Sequence, residues 1–307
     1  MGLLPPEMTA TPSAFAPSLT SPASNEIFLP ARDYDLAATL ESGQVFRWHP
    51  CGDSWVGVVG RNVVCLRPTP EGIQAQTAGP QKNWDWLRDF LQTDVDLKKI
   101  LATFPDDEPM RAAVAACRGL RVLRQEPWEC LAAFILSANK QITQIRQIIS
   151  QLCERFGEPL EPTPGLRSRR FFSFPSPETI AAATEGELRA CKMGFRAPHL
   201  RATARQIAGG RFDLQKISGL DLAAARAELM KLPGVGSKIA DCVLLFACGF
   251  DAAFPIDVWV QRALRRWYFP RRKISGRKLR EFAAAHFGPH AGYAQQYLFH
   301  FMRTKMK

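Results

Sequence analysis

The chain has 307 residues, 46% hydrophobic and 22% charged, ordinary proportions for a soluble globular protein with room for two or three modest domains. A formal charge of +11 favours a polyanionic partner, nucleic acid first, and no long apolar span or basic amphipathic helix supports a membrane instead. The eight cysteines are scattered without a CxxC pair, which argues against a disulfide framework, a zinc site or an iron–sulfur cluster and for reduced thiols acting as small hydrophobes.

Residues 1–24 are rich in Pro, Ser, Thr and Ala and contain no Lys or Arg. They read as a disordered tail without the marks of a signal or transit peptide, so an intracellular protein is expected, cytoplasmic or with the nucleoid (nuclear in a eukaryote), and not secreted. Residues 25–109 read as a small α/β domain with an antiparallel sheet. A lead-in over 28–40 precedes β-type runs at 55–59, 63–66 and 73–77, separated by turn residues, and then two short helical faces. From Met110 to the end the pattern is helical nearly throughout. Helices are expected over 128–138, with Pro127 in the first turn, over 142–156, from Pro177 to a stop at Gly194, over 200–208, over 222–231 behind the cap Asp221, after Asp257, and again from Leu279 and Tyr293. The fold class is α+β: a small sheet domain before an all-helical body over 110–307.

Between two of these helices lies Leu232-Pro233-Gly234-Val235-Gly236. Its glycines allow positive φ and a close approach of backbone N–H groups to an anion, and the next helix points its positive end at the same place. The segment is either a phosphate clamp without base preference or a plain turn. Lys238 follows on an apolar helix, where partial desolvation and the helix end would both favour the neutral, nucleophilic amine. A solvated lysine at a helix start is the alternative. Cys242 lies one turn on, on the same face. Asp257 stands among apolar residues at a helix start, as an N-cap, a functional acid or both.

These residues resemble the helix-hairpin-helix superfamily of DNA glycosylases (HhH-GPD) in its lysine-bearing branch. Leu40 to Trp48, Gln125 to Leu131, Ser137-Ala138-Asn139, Met193 to Arg196 and Gly288 to Phe299 narrow the resemblance to the 8-oxoguanine DNA glycosylase/AP lyase family. The runs Ser42-Gly43-Gln44-Val45-Phe46-Arg47-Trp48 and Gly292 to Phe299 are the most specific. The resemblance implies a TBP-like sheet domain and a glycosylase body of two helical subdomains with the active site between them. The implied function is bifunctional: 8-oxoguanine is flipped from duplex DNA and excised through a lysine Schiff base, and the strand is then nicked by β-elimination.

Within that resemblance Lys238 is the nucleophile and Asp257 the carboxylate that orients attack and stabilises the cationic sugar. Phe299 stacks on the base, Gln295 bonds its Watson–Crick edge, Cys242 packs the other face, and Gly43 offers its carbonyl to the N7–H found only on oxidised guanine. Asn139 fills the hole in the duplex, Phe195 is the wedge beside it, and Arg196 reads the orphaned base. Gly234 and Gly236 hold backbone phosphate. Four positions depart from the eukaryotic pattern: Lys140 and Gln141 stand where it has asparagines, Gln144 replaces an arginine that contacts the opposite cytosine, so a relaxed preference for cytosine is expected, and Trp259 replaces a phosphate-contacting histidine. No cofactor is required by this chemistry. A cation, monovalent or calcium, is implied at the main-chain carbonyls of Met230, Leu232 and Val235. The basic run 265–280 and the cluster at Arg167, Arg169 and Arg170 are candidate backbone contacts, or solvated faces. The partner is double-stranded DNA containing oxidised guanine, and a monomer is expected. Two other readings stay open at this point, a monofunctional alkylated-base glycosylase and a non-catalytic helix-hairpin-helix module.

Overall fold

In the computed structural model of the protein the described residues are 24–166, 169–270 and 274–305. The tail expected over 1–24 lies outside them except for Ser24, which already belongs to strand β1 (Ser24–Pro30). Asp35 caps helix α1 (Leu36–Glu41), accepting the Ala38 N–H at 2.8 Å. The expected lead-in over 28–40 therefore holds part of a strand and most of a helix. β1 is an edge strand in which only Leu29 is buried, so it leaves no apolar alternation to read.

Strands β2 (His49–Cys51), β3 (Ser54–Val59), β4 (Asn62–Thr69) and β5 (Gly72–Gln81) complete an antiparallel sheet in the order β1-β5-β4-β3-β2. The three expected β runs are its centre. Trp48, Trp55, Leu66 and Ile73 pack on Leu87 and Phe90 of helix α2 (Asp85–Leu91). Helix α3 (Leu97–Leu101) buries Leu97 and Ile100 in the other core, that of the body, whereas Leu123 returns to the core of the sheet. The two cores are thus laced together across the stretch where composition alone draws a boundary near residue 110.

The body begins with α4 (Glu108–Ala116), α5 (Pro127–Ser137) and α6 (Ile142–Phe156). Glu126 caps α5 through the N–H groups of Trp128 and Glu129, with Pro127 in the first turn. A short ribbon of β6 (Pro159–Leu160) and β7 (Phe171–Phe172) interrupts the helical pattern. The single helix expected from Pro177 to Gly194 is instead α7 (Pro177–Ala182) and α8 (Glu185–Leu188), with a wider π turn over Arg189–Met193. The break is a capping box: Thr184 Oγ1 accepts the Glu187 N–H at 3.2 Å and the Glu187 carboxylate accepts the Thr184 N–H at 2.9 Å.

Next come α9 (Ala197–Ala208), which starts three residues before the expected Leu200, and α10 (Leu222–Leu229), capped by Asp221 as expected. The hairpin leads into α11 (Ser237–Phe246), followed by α12 (Val258–Trp267), α13 (Gly276–His286) and α14 (Ala291–Lys305). α11 is the axis of the body: every residue from Ile239 to Phe246 is buried, so both ends of the helix are fixed with respect to α5 and α10. Among the described residues no helix is long and apolar enough to cross a membrane.

Candidate active site

The hairpin places the lysine. Gly234 has φ of +81°, and a Cβ there would stand 2.8 Å from His199 Cβ, so α9 packs directly on the turn and excludes a side chain. Thr203 Oγ1 donates to the Pro233 carbonyl at 2.9 Å and ties the same turn to α9. Gly236 is the N-cap of α11, which puts Lys238 in the first turn of a buried helix. Lys238 is half-buried. Its Nζ lies 3.4 Å from Ser137 Oγ and 5.0 Å from the centre of the Phe134 ring.

Asp257 is the N-cap of α12, the first of the roles left open for it. Its carboxylate caps α12, accepting the Val260 N–H at 2.8 Å, and it lies within charge range of Lys238. Burial raises the Asp257 carboxyl above the ordinary aspartate range, against the opposing pull of the Val260 N–H, Lys238, the Trp259 N–H and Arg303. Cys242 is buried on the same face of α11 as Lys238, and burial pushes its thiol up to about 12 although Lys238 draws it down. A thiol held neutral in this way is an apolar wall.

The pocket residues come from opposite ends of the chain. Gly43 has φ of +77°, and a Cβ on it would stand 3.1 Å from Ile142 Cδ1 and 3.3 Å from Phe299 Cε1. Gly43 and Phe299 are therefore in contact across 256 positions of sequence. The carbonyls on either side of Gly43 are already engaged. Ser42 O accepts from Gln296 Nε2 at 2.9 Å and Gln44 O from Gln125 Nε2 at 2.8 Å. The Gln44 amide is itself locked, donating to Thr39 O, Ser42 Oγ and Arg121 O and accepting the Leu123 N–H. Among the described residues no hydrogen bond reaches the Gly43 carbonyl. Gln295 is 3% exposed, and its buried Oε1 has no partner among the described residues. A buried amide acceptor left open costs free energy unless something fills it.

The rest of the Ser42–Trp48 run fastens the sheet to the body. Phe46 packs edge-on against Phe134 at 5.7 Å, Arg47 bridges to Glu129 at 3.0 Å and donates to the Phe172 carbonyl, and Trp48 stacks on Phe90 at 5.9 Å. Phe134 is also the ring under Lys238, so this run supports Lys238 as well as the Gly43 turn.

The residues expected at the duplex form a second group. Asn139 is exposed with φ of +53°, in the left-handed region, just before α6. Phe195 is 55% exposed, while Arg196 is 3% exposed beneath it, its guanidinium 4.2 Å from the Phe195 ring centre. Arg196 donates to the carbonyls of Met193 and Ala138 and so ties the Asn139 loop to the Phe195 turn. Gln144 is exposed on the first turn of α6 and accepts the Gln141 N–H at 3.2 Å. Trp259 lies under Arg262 at 5.0 Å. Of the basic run, Arg271, Arg272 and Lys273 lie outside the described residues, as does Arg167. Arg265, Arg266, Arg277, Lys278 and Arg280 are exposed, and Arg277 pairs with Glu281 at 3.6 Å.

Comparison with known proteins matches this arrangement over nearly the whole chain. Residues 26–131 match the N-terminal domain model of 8-oxoguanine DNA glycosylase, and residues 132–288 match the HhH-GPD superfamily of base excision DNA repair proteins. The chain is 31% identical to a probable N-glycosylase/DNA lyase of Methanothermobacter thermautotrophicus, over 90% of the chain and 95% of that protein. The chain belongs to the 8-oxoguanine DNA glycosylase family of the HhH-GPD superfamily. It is 30% identical to N-glycosylase/DNA lyase OGG1 of Arabidopsis thaliana, over 95% of the chain and 80% of that protein. Among solved structures it superposes with a TM-score of 0.87 on MBOgg1 in complex with a low-affinity DNA ligand, at 31% identity over 94% of the chain and 98% of the other. It also superposes with a TM-score of 0.84 on the Clostridium acetobutylicum 8-oxoguanine glycosylase/lyase bound to DNA containing cytosine opposite 8-oxoguanine, at 29% identity over 92% and 99%. Membership makes the chain a DNA N-glycosylase and AP lyase.

In this member of the family several supporting residues escape a reading by motif. Ile142 closes one side of the Gly43 turn, and Gln296 and Gln125 hold its neighbours. Arg303 lies 5.5 Å from the Phe299 ring centre, donates to the Glu41 carbonyl and is within charge range of Asp257. Gln296 could have been suspected from its place inside the Gly292–Phe299 run. Arg303 has only its i+4 spacing from Phe299 as a signal.

Proposed function

We propose that this glycosylase/lyase excises 8-oxoguanine from duplex DNA with Lys238 as nucleophile, and that the open carbonyl of Gly43, on the turn packed against Phe299, is what selects the base. The Gly43 arrangement is the observation that carries the reading. A carbonyl held between two engaged carbonyls can accept the N7–H of the oxidised base. Guanine offers a lone pair at N7 and would leave two acceptors facing each other. Phe299 would stack on the base, the open Gln295 Oε1 would take an N–H of its Watson–Crick edge, and Cys242 would close the other face.

For the chemistry, the Lys238 amine attacks C1′ and the C1′–N9 bond breaks with its electron pair leaving on the base, which takes up a proton. Opening of the sugar gives an iminium between Nζ and C1′. Loss of a C2′ proton then expels the 3′ phosphate. The Asp257 carboxylate, within charge range of Lys238 and partly withdrawn from water, would oppose positive charge at the sugar and iminium more effectively than in bulk solvent. Gly234 and Gly236 would bring backbone N–H groups and the positive end of α11 to a phosphate. Asn139, Phe195 and Arg196 would fill and wedge the duplex and read the orphaned base, with Arg196 first releasing Ala138.

We also propose the carbonyls of Met230, Leu232 and Val235 as the place of a hairpin cation. Oxygen donors suit a hard cation, and Leu232 O spends one lone pair on the Val235 N–H at 3.1 Å and keeps the other. A cation there would add positive charge beside the phosphate that the hairpin holds.

Borohydride trapping on an 8-oxoguanine duplex tests the central claim. A covalent protein–DNA adduct that disappears in Lys238→Gln is expected. Base release without an adduct would replace this reading with direct hydrolysis, and binding without release with a non-catalytic module.

A further inference from the structure

A second positively charged feature lies outside the pocket and outside the hairpin. The outer end of the sheet, α6 and the residues leading into β7 enclose an open cleft of about 670 Å³. His49 enters it from β2, Arg146 from α6, and Arg169 and Arg170 from the approach to β7. Arg169 and Arg170 are exposed and Arg146 is half-buried. Arg47 lines the floor but is already engaged by Glu129 and the Phe172 carbonyl.

The positive groups here are not balanced by acids. Glu154 is the carboxylate in the lining, and it accepts from Ser150 Oγ at 2.8 Å. Arg146, Arg169 and Arg170 form no ion pair among the described residues, and the buried Nε of Arg146 has no hydrogen-bond partner there. The field is felt by His49, whose imidazole is held below its ordinary value by burial and then by Arg146 and Arg169. Three guanidinium groups gathered without counter-charges repel one another, and an anion in the cleft would relieve the repulsion.

The position of Arg146 gives the anion an address. It follows Ile142 by four residues on α6, so both lie on one helix face. Ile142 touches Gly43 at the mouth of the base pocket. The cleft therefore opens about one helical turn from where the flipped nucleotide would sit. It is open, with positive groups from the sheet, α6 and the approach to β7, which suits a polyanion crossing it better than a small enclosed ligand.

We infer that the cleft formed by His49, Arg146, Arg169 and Arg170 holds a phosphate of the DNA backbone beyond the flipped nucleotide, a contact separate from the hairpin. The inference rests on the chain binding duplex DNA, and borohydride trapping of the unaltered protein reports on that binding and on Lys238 independently.

The test combines a protein variant with altered DNA. Binding of an 8-oxoguanine duplex is measured against salt for the unaltered protein, for Arg146→Met and for Arg169→Gln/Arg170→Gln. The slope of log K against log salt should fall by about 0.9 for each phosphate that the variant no longer neutralises. Arg146→Lys, which keeps the charge, should recover most of the slope. A methylphosphonate is then moved one position at a time along each strand. One position, or two adjacent ones, should weaken binding about tenfold for the unaltered protein and much less for the variants, and its strand and distance from the lesion give the path of the backbone. Because both residues are exposed, the Arg169/Arg170 variant decides the matter if Arg146→Met does not fold. Unchanged salt slopes, or methylphosphonate effects of equal size in the variants and the unaltered protein at every position, overturn the inference.

Discussion

The base pocket and the duplex-facing edge are built in opposite ways. In the pocket Ser42, Gln44 and Gln296 are buried and bonded to one another or to the backbone, and the Gly43 turn is wedged between Ile142 and Phe299. At the edge Phe195 stands in solvent, Asn139 holds a left-handed backbone conformation, and Arg196 spends its donors on the carbonyls of Met193 and Ala138. A pocket that tells two bases apart by a single proton, as proposed for Gly43, gains from being rigid before the base arrives. An edge proposed to enter a stacked helix has to change shape, and residues poised to change carry strain or borrowed hydrogen bonds. Substitutions in the pocket should therefore act on base choice and turnover, and those at the edge on the partner base and on binding.

The largest effect is expected at Asp257, where the two roles can be separated. Asparagine caps a helix about as well as aspartate. Asp257→Asn should leave the melting temperature nearly unchanged while base excision falls on the order of 10²–10³-fold, with DNA binding kept, measured by single-turnover release and by equilibrium binding. A drop in stability or in binding with excision per bound duplex preserved would make Asp257 a cap alone. The sign of the pH dependence follows from burial. The Asp257 carboxyl is raised, so the ionised form is lost at a higher pH than for an exposed aspartate, and excision should fall as pH is lowered through that raised value. The acid limb should be absent from the residual activity of Asp257→Asn.

Next in size is Gly43→Ala. The new Cβ would stand 3.1–3.3 Å from Ile142 and Phe299, at a φ that alanine disfavours. Strain of about 1–3 kcal/mol at the carbonyl proposed to select the base should lower 8-oxoguanine excision roughly ten- to a hundred-fold. Competition between oxidised and normal guanine measures the loss of selectivity directly; an unaltered ratio would remove Gly43 from base selection. A smaller effect, a few-fold on the rate at saturating DNA, is expected for Arg303→Met, which frees Glu41 and uncovers Phe299.

The pocket was also the more legible region in the sequence. Ser42-Gly43-Gln44 and Gly292 to Phe299 are short runs in which Ser42, Gly43, Gln44, Gly292 and Gln296 are held by contacts, so the motif survives as text. The helical body was legible wherever a cap or an apolar stripe marked it, as at α5 and α6. What could not be read was of two kinds. β1 carries no pattern because it lies at the sheet edge, and the break at Thr184 was hidden by apolar residues that continue helical spacing through it. The tether from Arg303 to Glu41 and the burial of Arg196 depend on where the chain meets itself, which no local spacing encodes.

The edge gives the smallest and most discriminating prediction. Gln144 stands where the eukaryotic pattern has an arginine, and its Oε1 already accepts the Gln141 N–H at 3.2 Å, so its amide is partly occupied in holding the start of α6. It can offer the opposite base at most a neutral hydrogen bond through its NH₂ group. Arg196 must abandon the Ala138 carbonyl before it can help. Both conditions weaken selection of cytosine, and a panel of 8-oxoguanine opposite each of the four bases should show excision rates spread over no more than about tenfold. Gln144→Arg should restore a charged donor and widen the spread in favour of cytosine by about tenfold again, with little change in the rate opposite cytosine itself. A strong cytosine preference in the unaltered protein would mean that Arg196 reads the base unaided, and that its bond to Ala138 is given up at little cost when the duplex arrives.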